Sequence, residues 1–280
     1  MKEGIGMPLQ LGLKAGVDDR QIADRLQYHP DVFEFHLVEQ NVTPEGLKVL
    51  RDKIQYVRQQ GVLQIVLHHP MNWQNRHLEL SMSEVASPER YRFLWQSTLD
   101  LLELAQAESV QLLVHGSYDD PIEELTAGYA HLWEASQVLF KRMDYLQKIG
   151  GNNIVFENSI SPLFYYGNPN LDQAIFAKNY RLAFDISHCF IKLHGDNQAL
   201  MQSLKTLGPH VHHYHIVDSM GGSHDGLPLG TGKINWAGVL PLLNPAASRI
   251  YEVQLKDQND AQEMIASHAY LQQIADSLKA

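Results

Sequence analysis

The sequence has a single cysteine, Cys189, among its 280 residues, and this scarcity excludes two classes of protein. One thiol cannot build an intramolecular disulfide framework, and it cannot supply a zinc site made only of cysteines. Long apolar runs are also missing, since no stretch approaches the roughly 20 residues that a membrane-spanning helix needs. The opening segment MKEGIGMPLQLGLKAG lacks the apolar centre of a secretory leader. We therefore expect a cytoplasmic protein with no membrane partner.

Positive charge is scarce as well, because 22 Lys and Arg residues stand against 32 Asp and Glu residues, for a net charge of −10. No cluster of Lys and Arg of the nucleic-acid-binding type occurs. Nucleic acid is therefore not the expected partner, although a local basic groove would be compatible with this balance. Histidine, in contrast, is abundant, with 15 residues, and their positions decide what they indicate.

Eight short apolar segments alternate with eight amphipathic segments. The apolar segments, which we predict to be strands, are Leu9–Leu13, Val32–His36, Leu63–His69, Val110–His115, Asn153–Glu157, Tyr180–Asp185, Val211–Val217 and Arg249–Val253. The predicted helices begin after Val17-Asp18-Asp19, at Thr43-Pro44-Glu45 and at Ser87-Pro88-Glu89 (to Ala107), followed by Ala130–Ile149, Asn170–Lys178, Asn197–Leu207, Asn235–Leu243 and Asp260–Leu278.

This alternation predicts parallel strands, because each crossover helix returns the chain in the same direction. Eight such units close most simply into a single (β/α)8 TIM barrel, which we expect to span residues 1–280 as one domain. A doubly wound open sheet is the alternative, but no G-x-G-x-x-G follows the first predicted strand.

Acidic and imidazole side chains concentrate at the predicted strand ends, where a barrel of this type carries its active site. They are Glu34 and His36 on strand two, His68 and His69 on strand three, His115 on strand four, Glu157 on strand five, Asp185 with His188 after strand six, His213 and His215 on strand seven, and Glu252 on strand eight. Buried carboxylates need a counter-charge, and we expect no Lys or Arg at these ends. The pattern predicts a divalent metal ion, Zn²⁺ or Mn²⁺ first, with Mg²⁺ and Co²⁺ as alternatives.

The segments VLHHP, LLVHGS, VFENS, LAFDISH, HYHIVD, LPLGTGKINW and YEV, in this order between about Leu63 and Glu252, resemble the xylose isomerase-like TIM barrels. That superfamily includes sugar and sugar-phosphate isomerases, ketose 3-epimerases and abasic-site endonucleases. The resemblance implies a metal site made of Glu157, Asp185, His215 and Glu252. The His–x–x–Asp pattern that His215 forms with Asp218 favours it over His213, which we interpret as a buried, hydrogen-bonded histidine.

The isomerase and epimerase branch implies proton transfer next to a substrate carbonyl through an enediolate. Glu157 and Glu252 would remove and return the proton, and His188 would hold and polarise a substrate oxygen. We predict that Trp73, His224 and Asp225 contact the substrate, a small sugar or sugar phosphate. A homo-oligomer is compatible with the sequence. This branch usually has an arginine in the loop after strand seven, and Val217–Thr231 contains none.

The endonuclease branch has additional ligands on strands three and four, and His69 and His115 match them, with Glu157 bridging two metals. This branch also completes a third metal site with a histidine that His188 matches and an Asp–x–His pair. The pair is absent, because His224 and Asp225 are adjacent. The acidic charge and the lost pair favour an isomerase or epimerase. The pair His69 and His115, together with FENS, favours the alternative, a two-metal phosphoester hydrolase.

Overall fold

The computed structural model describes residues 9–118 and 120–279, and its centre is a nearly closed barrel of eight parallel strands. The barrel strands are β1 (Gly12–Ala15), β2 (Val32–His36), β3 (Gln64–His68), β4 (Gln111–His115), β5 (Ile154–Glu157), β6 (Leu182–Asp185), β7 (Val211–Ile216) and β8 (Ser248–Tyr251). Each strand pairs in parallel with the next along the chain. The predicted (β/α)8 fold is confirmed. Residues 1–8, which belong to the opening segment that we expect not to be a secretory leader, lie outside the described residues.

Helices surround the barrel, and several begin at capping residues visible in the sequence. They are α1 (Asp19–Leu26), α2 (Pro44–Gln59), α3 (Pro88–Glu108), α4 (Ile122–Leu125), α5 (Leu132–Gly150), α6 (Pro169–Ala177), α7 (Ile186–Lys192), α8 (Asn197–Leu207), α9 (Trp236–Val239) and α10 (Gln262–Ser277). The Asp18 and Thr43 side chains accept hydrogen bonds from backbone N–H groups of the first turns of α1 and α2. The Ser87 side chain makes no such bond, so Pro88, at the first helical position, is the residue that favours the start of α3. Among the described helices, none combines the length and apolar character needed to cross a bilayer.

The differences from the sequence-based prediction include the bounds of β1 and of α9 and two helices that were not predicted, α4 and α7. Strand β1 covers Gly12–Ala15 rather than Leu9–Leu13, which brings Lys14 into the barrel. Helix α9 ends at Val239 and continues as a 3-10 turn, because Pro241 has no N–H to extend the α-helix. Helix α7 was not predicted; its N-cap is Asp185, whose Oδ1 accepts a hydrogen bond from the His188 N–H at 2.7 Å.

A close backbone approach marks the seam between β1 and β8. Within the described residues no parallel ladder joins these two strands, although every other neighbouring pair has one. A Cβ atom at Gly12 would lie 1.7 Å from the Arg249 carbonyl oxygen, so only glycine fits this approach.

Side chains inside the barrel are apolar in one layer and polar in the layer above it. Val66, Leu113, Val155 and Ala183 form a buried cluster, which we call the apolar plug. Because side chains alternate along a strand, the residues two positions later face the same interior. On these four strands they are His68, His115, Glu157 and Asp185, and all are buried.

Candidate metal centre and active site

Four groups, three on strands β5, β6 and β7 and one directly after β8, converge at the carboxyl-terminal mouth of the barrel. One ligand atom from each of Glu157, Asp185, His215 and Glu252 lies within 4.8 Å of the others. His215 Nδ1 is 2.8 Å from Glu157 Oε1, 2.6 Å from Glu252 Oε2 and 3.9 Å from Asp185 Oδ2. The structure thus brings together the four residues that the resemblance implies, and we call them the primary cluster.

The hydrogen bonding of the primary cluster is incomplete. Glu157 Oε1, Asp185 Oδ2 and His215 Nδ1 are buried and make no hydrogen bond of acceptable geometry with the described residues. Buried polar atoms almost always have partners, and an unsatisfied one is costly. Carboxylate oxygen and imidazole nitrogen atoms are ligands that Zn²⁺ and Mn²⁺ accept. Here such atoms face one another without forming hydrogen bonds, so these residues fit a divalent cation.

The electrostatics of the primary cluster also favour a bound cation. Burial alone would lower the pKa of His215, but Glu157, Glu252 and Glu34 raise it well above its ordinary value. The pKa of Asp185 is raised by burial and by the neighbouring carboxylates Glu252 and Glu157, beyond what nearby histidines offset. The cluster therefore attracts positive charge, as a proton on imidazole or as a metal ion.

Glu34 orients His215 from below the mouth. His215 Nε2 donates a hydrogen bond to Glu34 Oε2 at 3.0 Å, which leaves Nδ1 directed at the primary cluster. A carboxylate that holds the second nitrogen of a metal-binding histidine is a recurrent supporting arrangement. His213 Nε2 donates to the same oxygen at 3.0 Å, and His213 Nδ1 lies 2.6 Å from Ser248 Oγ. His213 is thus a buried, hydrogen-bonded histidine, as expected.

A second group of potential ligands shares Glu157. One ligand atom from each of His68, His115 and Glu157 lies within 4.8 Å of the others, and we call this the secondary cluster. Glu157 Oε2 is 3.1 Å from His115 Nε2 and 3.5 Å from His68 Nε2. His68 Nδ1 donates to the His69 backbone oxygen at 2.9 Å, which directs its Nε2 at the cluster. Burial lowers the pKa of His115 to about 3, so His115 is neutral and able to bind a cation.

The structure does not bring His69, a predicted ligand, to either cluster. Its side chain points outward to helix α3, where Nε2 lies 2.9 Å from Ser97 Oγ and 3.2 Å from Thr98 Oγ1. Adjacent residues of a strand face opposite sides, so His68, and not His69, continues the inward face that includes Val66.

Lys14 corrects the expectation that no Lys or Arg lies at the strand ends. Its ammonium forms an ion pair with Glu252 Oε1 inside the mouth. Burial would lower the pKa of Lys14, but Glu252 and Glu34 raise it, so the lysine is charged. The apolar segment that predicted β1 ends at Leu13, one residue before this lysine. The lysine neutralises part of the charge of the four carboxylates Glu34, Glu157, Asp185 and Glu252, and the negative charge that remains favours a proton on His215 or a bound cation.

The mouth opens into a cavity of about 690 Å³, which we call the main cavity. Among the residues that line it are Lys14, His36, His115, Glu157, His188 and Glu252. His188 Nδ1 donates to the Asn158 backbone oxygen at 3.0 Å, which leaves Nε2 as its available nitrogen. The cavity therefore gives an incoming molecule access to two carboxylates of the primary cluster and to His188.

The predicted substrate contacts are only partly in this cavity. His224 lines it, with its ring 4.7 Å from the His188 ring. Asp225 is not among the lining residues, and its Oδ2 instead accepts a hydrogen bond from the Met220 N–H at 3.0 Å. Trp73 stacks on Phe93 of α3 at 5.4 Å and does not line the main cavity.

Tyr118 is a lining residue that the sequence analysis did not find. Its ring lies 5.0 Å from the His115 ring, at the start of the loop after β4. Buried Glu79 holds this loop, since its Oε2 accepts hydrogen bonds from the Ser117 hydroxyl at 2.5 Å and from the Tyr118 N–H at 2.8 Å. The only sequence signal for Tyr118 is its position, since it is an aromatic residue three positions after His115, which ends β4.

The fold is shared with solved structures of different functions. A D-tagatose 3-epimerase-like protein is 17% identical, with a TM-score of 0.66 over 97% of this chain and 98% of that chain. The TTHB071 protein from Thermus thermophilus, soaked with ZnCl2, is 19% identical, with a TM-score of 0.63 over 96% and 99%. Endonuclease IV from the same organism is 16% identical, with a TM-score of 0.60 over 95% and 100%. Such distant similarity establishes the fold and not the reaction.

Sequence similarity is more specific about the family. No curated protein matches the chain in sequence. The sequence model of one family, described as the xylose isomerase-like TIM barrel, matches residues 57–274 and thus covers most of the chain. The resemblance seen in the strand-end motifs is confirmed, and the chain belongs to the xylose isomerase-like TIM barrel family.

Proposed function

We propose that the protein is a divalent-metal-dependent isomerase or epimerase of a sugar or sugar phosphate. One observation carries the proposal: Glu157 and Glu252 belong to the primary cluster and also line the main cavity. The same two carboxylates can therefore bind a cation and face a substrate. They lie on β5 and just after β8, so they reach the substrate from different parts of the barrel.

The residues of the primary cluster would hold the ion, with Zn²⁺ or Mn²⁺ favoured by the mixed nitrogen and oxygen donors and Mg²⁺ or Co²⁺ as alternatives. When bound, the ion supplies Lewis acidity, which polarises a substrate carbonyl and acidifies the neighbouring C–H. Glu34 would keep His215 in the tautomer and orientation needed for binding.

The two glutamates would carry the proton. Burial raises the pKa of Glu157 and of Glu252. The charged His215 beside both carboxylates, and Lys14 beside Glu252, lower the two pKa values well below the ordinary one. Both groups are therefore ionised and able to accept a proton. One would take the proton next to the substrate carbonyl to give an enediolate. The other, after taking up a proton from water in the main cavity, would return that proton to the substrate, and the first would then release its own to water. General acid–base help of this kind is typically worth 10²–10⁴-fold in rate. His188 Nε2 would hold a substrate oxygen.

A specific observation supports the alternative, a two-metal phosphoester hydrolase. The secondary cluster shares Glu157 with the primary cluster, as two metals bridged by one carboxylate require. The cavity argues against a nucleic acid substrate, because Lys14 is the only Lys or Arg among its described lining residues. Proteins that bind DNA neutralise several phosphates with such groups.

Metal content per chain separates the two functions. For the isomerase or epimerase we expect one bound ion in both the wild type and His68→Ala, measured by elemental analysis after dialysis. Two ions in the wild type and one in His68→Ala would support the hydrolase. His69→Gln is the matched control, because the neighbouring side chain faces α3 and its replacement should leave the metal content unchanged.

Activity on a panel of ketoses and on abasic-site DNA tests the reaction itself. We expect metal-dependent conversion of at least one ketose, abolished in Glu157→Gln, and no cleavage of the DNA. Cleavage of the DNA alone would overturn the proposal and leave the hydrolase as the function.

A further inference from the structure

A second cavity of about 250 Å³ adjoins the main cavity, and we call it the side groove. The two share His36, Val38 and Met71 as lining residues. A molecule seated at the primary cluster can therefore extend past His36 into the side groove. The main cavity alone already falls in the size range of sites for drug-sized ligands, which is larger than one six-carbon sugar needs.

The side groove is formed by two segments that are fixed to each other. One is the 3-10 turn Glu39–Val42 after β2, and the other is the hairpin Asn72–His77 after β3. The Gln74 N–H donates to Glu39 Oε2 at 3.0 Å, which ties the hairpin to the turn. The stacking of Trp73 on Phe93 ties the hairpin to α3. The groove is thus a built feature of the mouth, and Trp73 shapes it without lining it.

The chemistry of the side groove is amide-rich and has no positive charge. Gln40, Asn72, Gln74 and Asn75 are exposed and line it, whereas none of its described lining residues is Lys or Arg. Side-chain amides donate and accept hydrogen bonds together, which suits neighbouring hydroxyl groups. Val38, 47% exposed, and Met71 add apolar surface for the C–H face of a ring. Arg and Lys, the side chains that most often hold a phosphate, are absent from these lining residues, and Glu39 on the wall would repel one.

We propose that the side groove binds a second, uncharged sugar unit, so that the substrate is a glycoside-linked sugar, such as a ketose disaccharide, rather than a monosaccharide or a sugar phosphate. The reacting unit lies at the primary cluster, and the second unit lies between the 3-10 turn and the hairpin. This inference rests on the proposed isomerase or epimerase function.

Calorimetric titration of the Mn²⁺-loaded protein tests the inference with D-fructose and with two disaccharides that carry D-fructose at the reducing end, lactulose and isomaltulose. We expect at least one disaccharide to bind about tenfold more tightly than D-fructose, as two or three additional hydrogen bonds would provide. In the double variant Gln40→Ala/Asn72→Ala this affinity ratio should fall to about one. Asn152→Ala is the matched control, because Asn152 is an exposed amide at the opposite end of the barrel and should leave the ratio unchanged.

The outcomes separate the two proposals. If D-fructose binds or is converted but neither disaccharide binds more tightly, the side groove is not a sugar subsite and the proposed function stands. If a disaccharide binds more tightly and the double variant keeps the full ratio, the second unit lies elsewhere and the inference is wrong. If none of the three sugars binds and the ketose panel is also inert, the proposed function fails and this inference fails with it.

Discussion

The apolar plug and the layer of polar residues above it are built on the same four strands, only two residues apart. The plug consists of Val66, Leu113, Val155 and Ala183, which pack against one another. The residues two positions later are His68, His115, Glu157 and Asp185. Their side chains include potential metal-ligand atoms and buried polar atoms without a hydrogen-bond partner among the described residues. One repeat of the strand pleat thus separates packing from chemistry. The comparison teaches that, among side chains that face the barrel interior, the position along the strand decides between packing and chemistry.

The largest effect is expected from Glu157→Gln, which alters the polar layer. The carboxamide removes an anionic ligand from both clusters and the proton acceptor at one side of the cavity. We expect kcat/KM on a responsive ketose to fall by about 10³-fold or more, with a matching loss of bound metal in elemental analysis. Retention of both metal and activity would break the comparison, since the polar layer would then not be functional.

Leu113→Ala makes the complementary change in the apolar plug. Removing a fully buried leucine is expected to lower the free energy of unfolding by about 2–5 kcal/mol, measured by urea denaturation. The folded variant should still bind the wild-type number of metal ions. Leu63→Ala is the control, because Leu63 is 80% exposed and its loss should cost less than about 0.5 kcal/mol.

Glu79 is a buried carboxyl outside both clusters and sharpens the comparison through pH. Burial raises its pKa to about 7, in contrast to Glu157 and Glu252. Because the folded pKa exceeds that of the unfolded chain, this contribution to stability is full below about pH 4.5 and is lost as the pH rises through 7, by about 3 kcal/mol in all. Urea denaturation across this range should show that the loss is absent in Glu79→Gln. Parallel curves for the two proteins would show that folding does not raise the pKa of Glu79.

Glu34→Gln tests the support below the polar layer with the smallest expected effect. The variant weakens the hold on His215 Nε2 and should weaken metal binding by about 10–100-fold, measured by competition with a fluorescent chelator. Glu45→Gln, at an exposed position on α2, is the charge-matched control. Equal affinities in the two variants would mean that His215 is oriented by its surroundings rather than by Glu34.

Much of the barrel could be predicted from the sequence, because the apolar runs of β2 to β8 are bounded by turn residues and separated by helical periodicity. Strand β1 was misplaced for a physical reason: its inward side chain is a lysine, so the hydrophobic pattern ends before the strand does. The members of the primary cluster lie at or next to the ends of strands that were correctly located, and the family resemblance selected these four among the strand-end residues.

The remaining errors arise where sequence pattern does not report direction. His68 and His69 are adjacent residues of the same type. Only the inward position of Val66, two residues before His68, distinguishes them. Trp73, Asp225 and Tyr118 lie in loops, whose course depends on contacts such as Phe93, Met220 and Glu79 that no periodicity encodes. The side groove requires two such loops at once and was therefore not predictable.

The seam between β1 and β8 has a consequence for how the protein is made. Glu252 follows the eighth strand, and its partner Lys14 lies on the first, so their contact joins segments that leave the ribosome far apart in time. Until β8 has been synthesised and packed against Gly12, Glu34, Glu157 and Asp185 lie in the mouth without Glu252 and without its ion pair with Lys14. Metal uptake by the primary cluster would accordingly report the completion of the barrel rather than any earlier stage of its assembly.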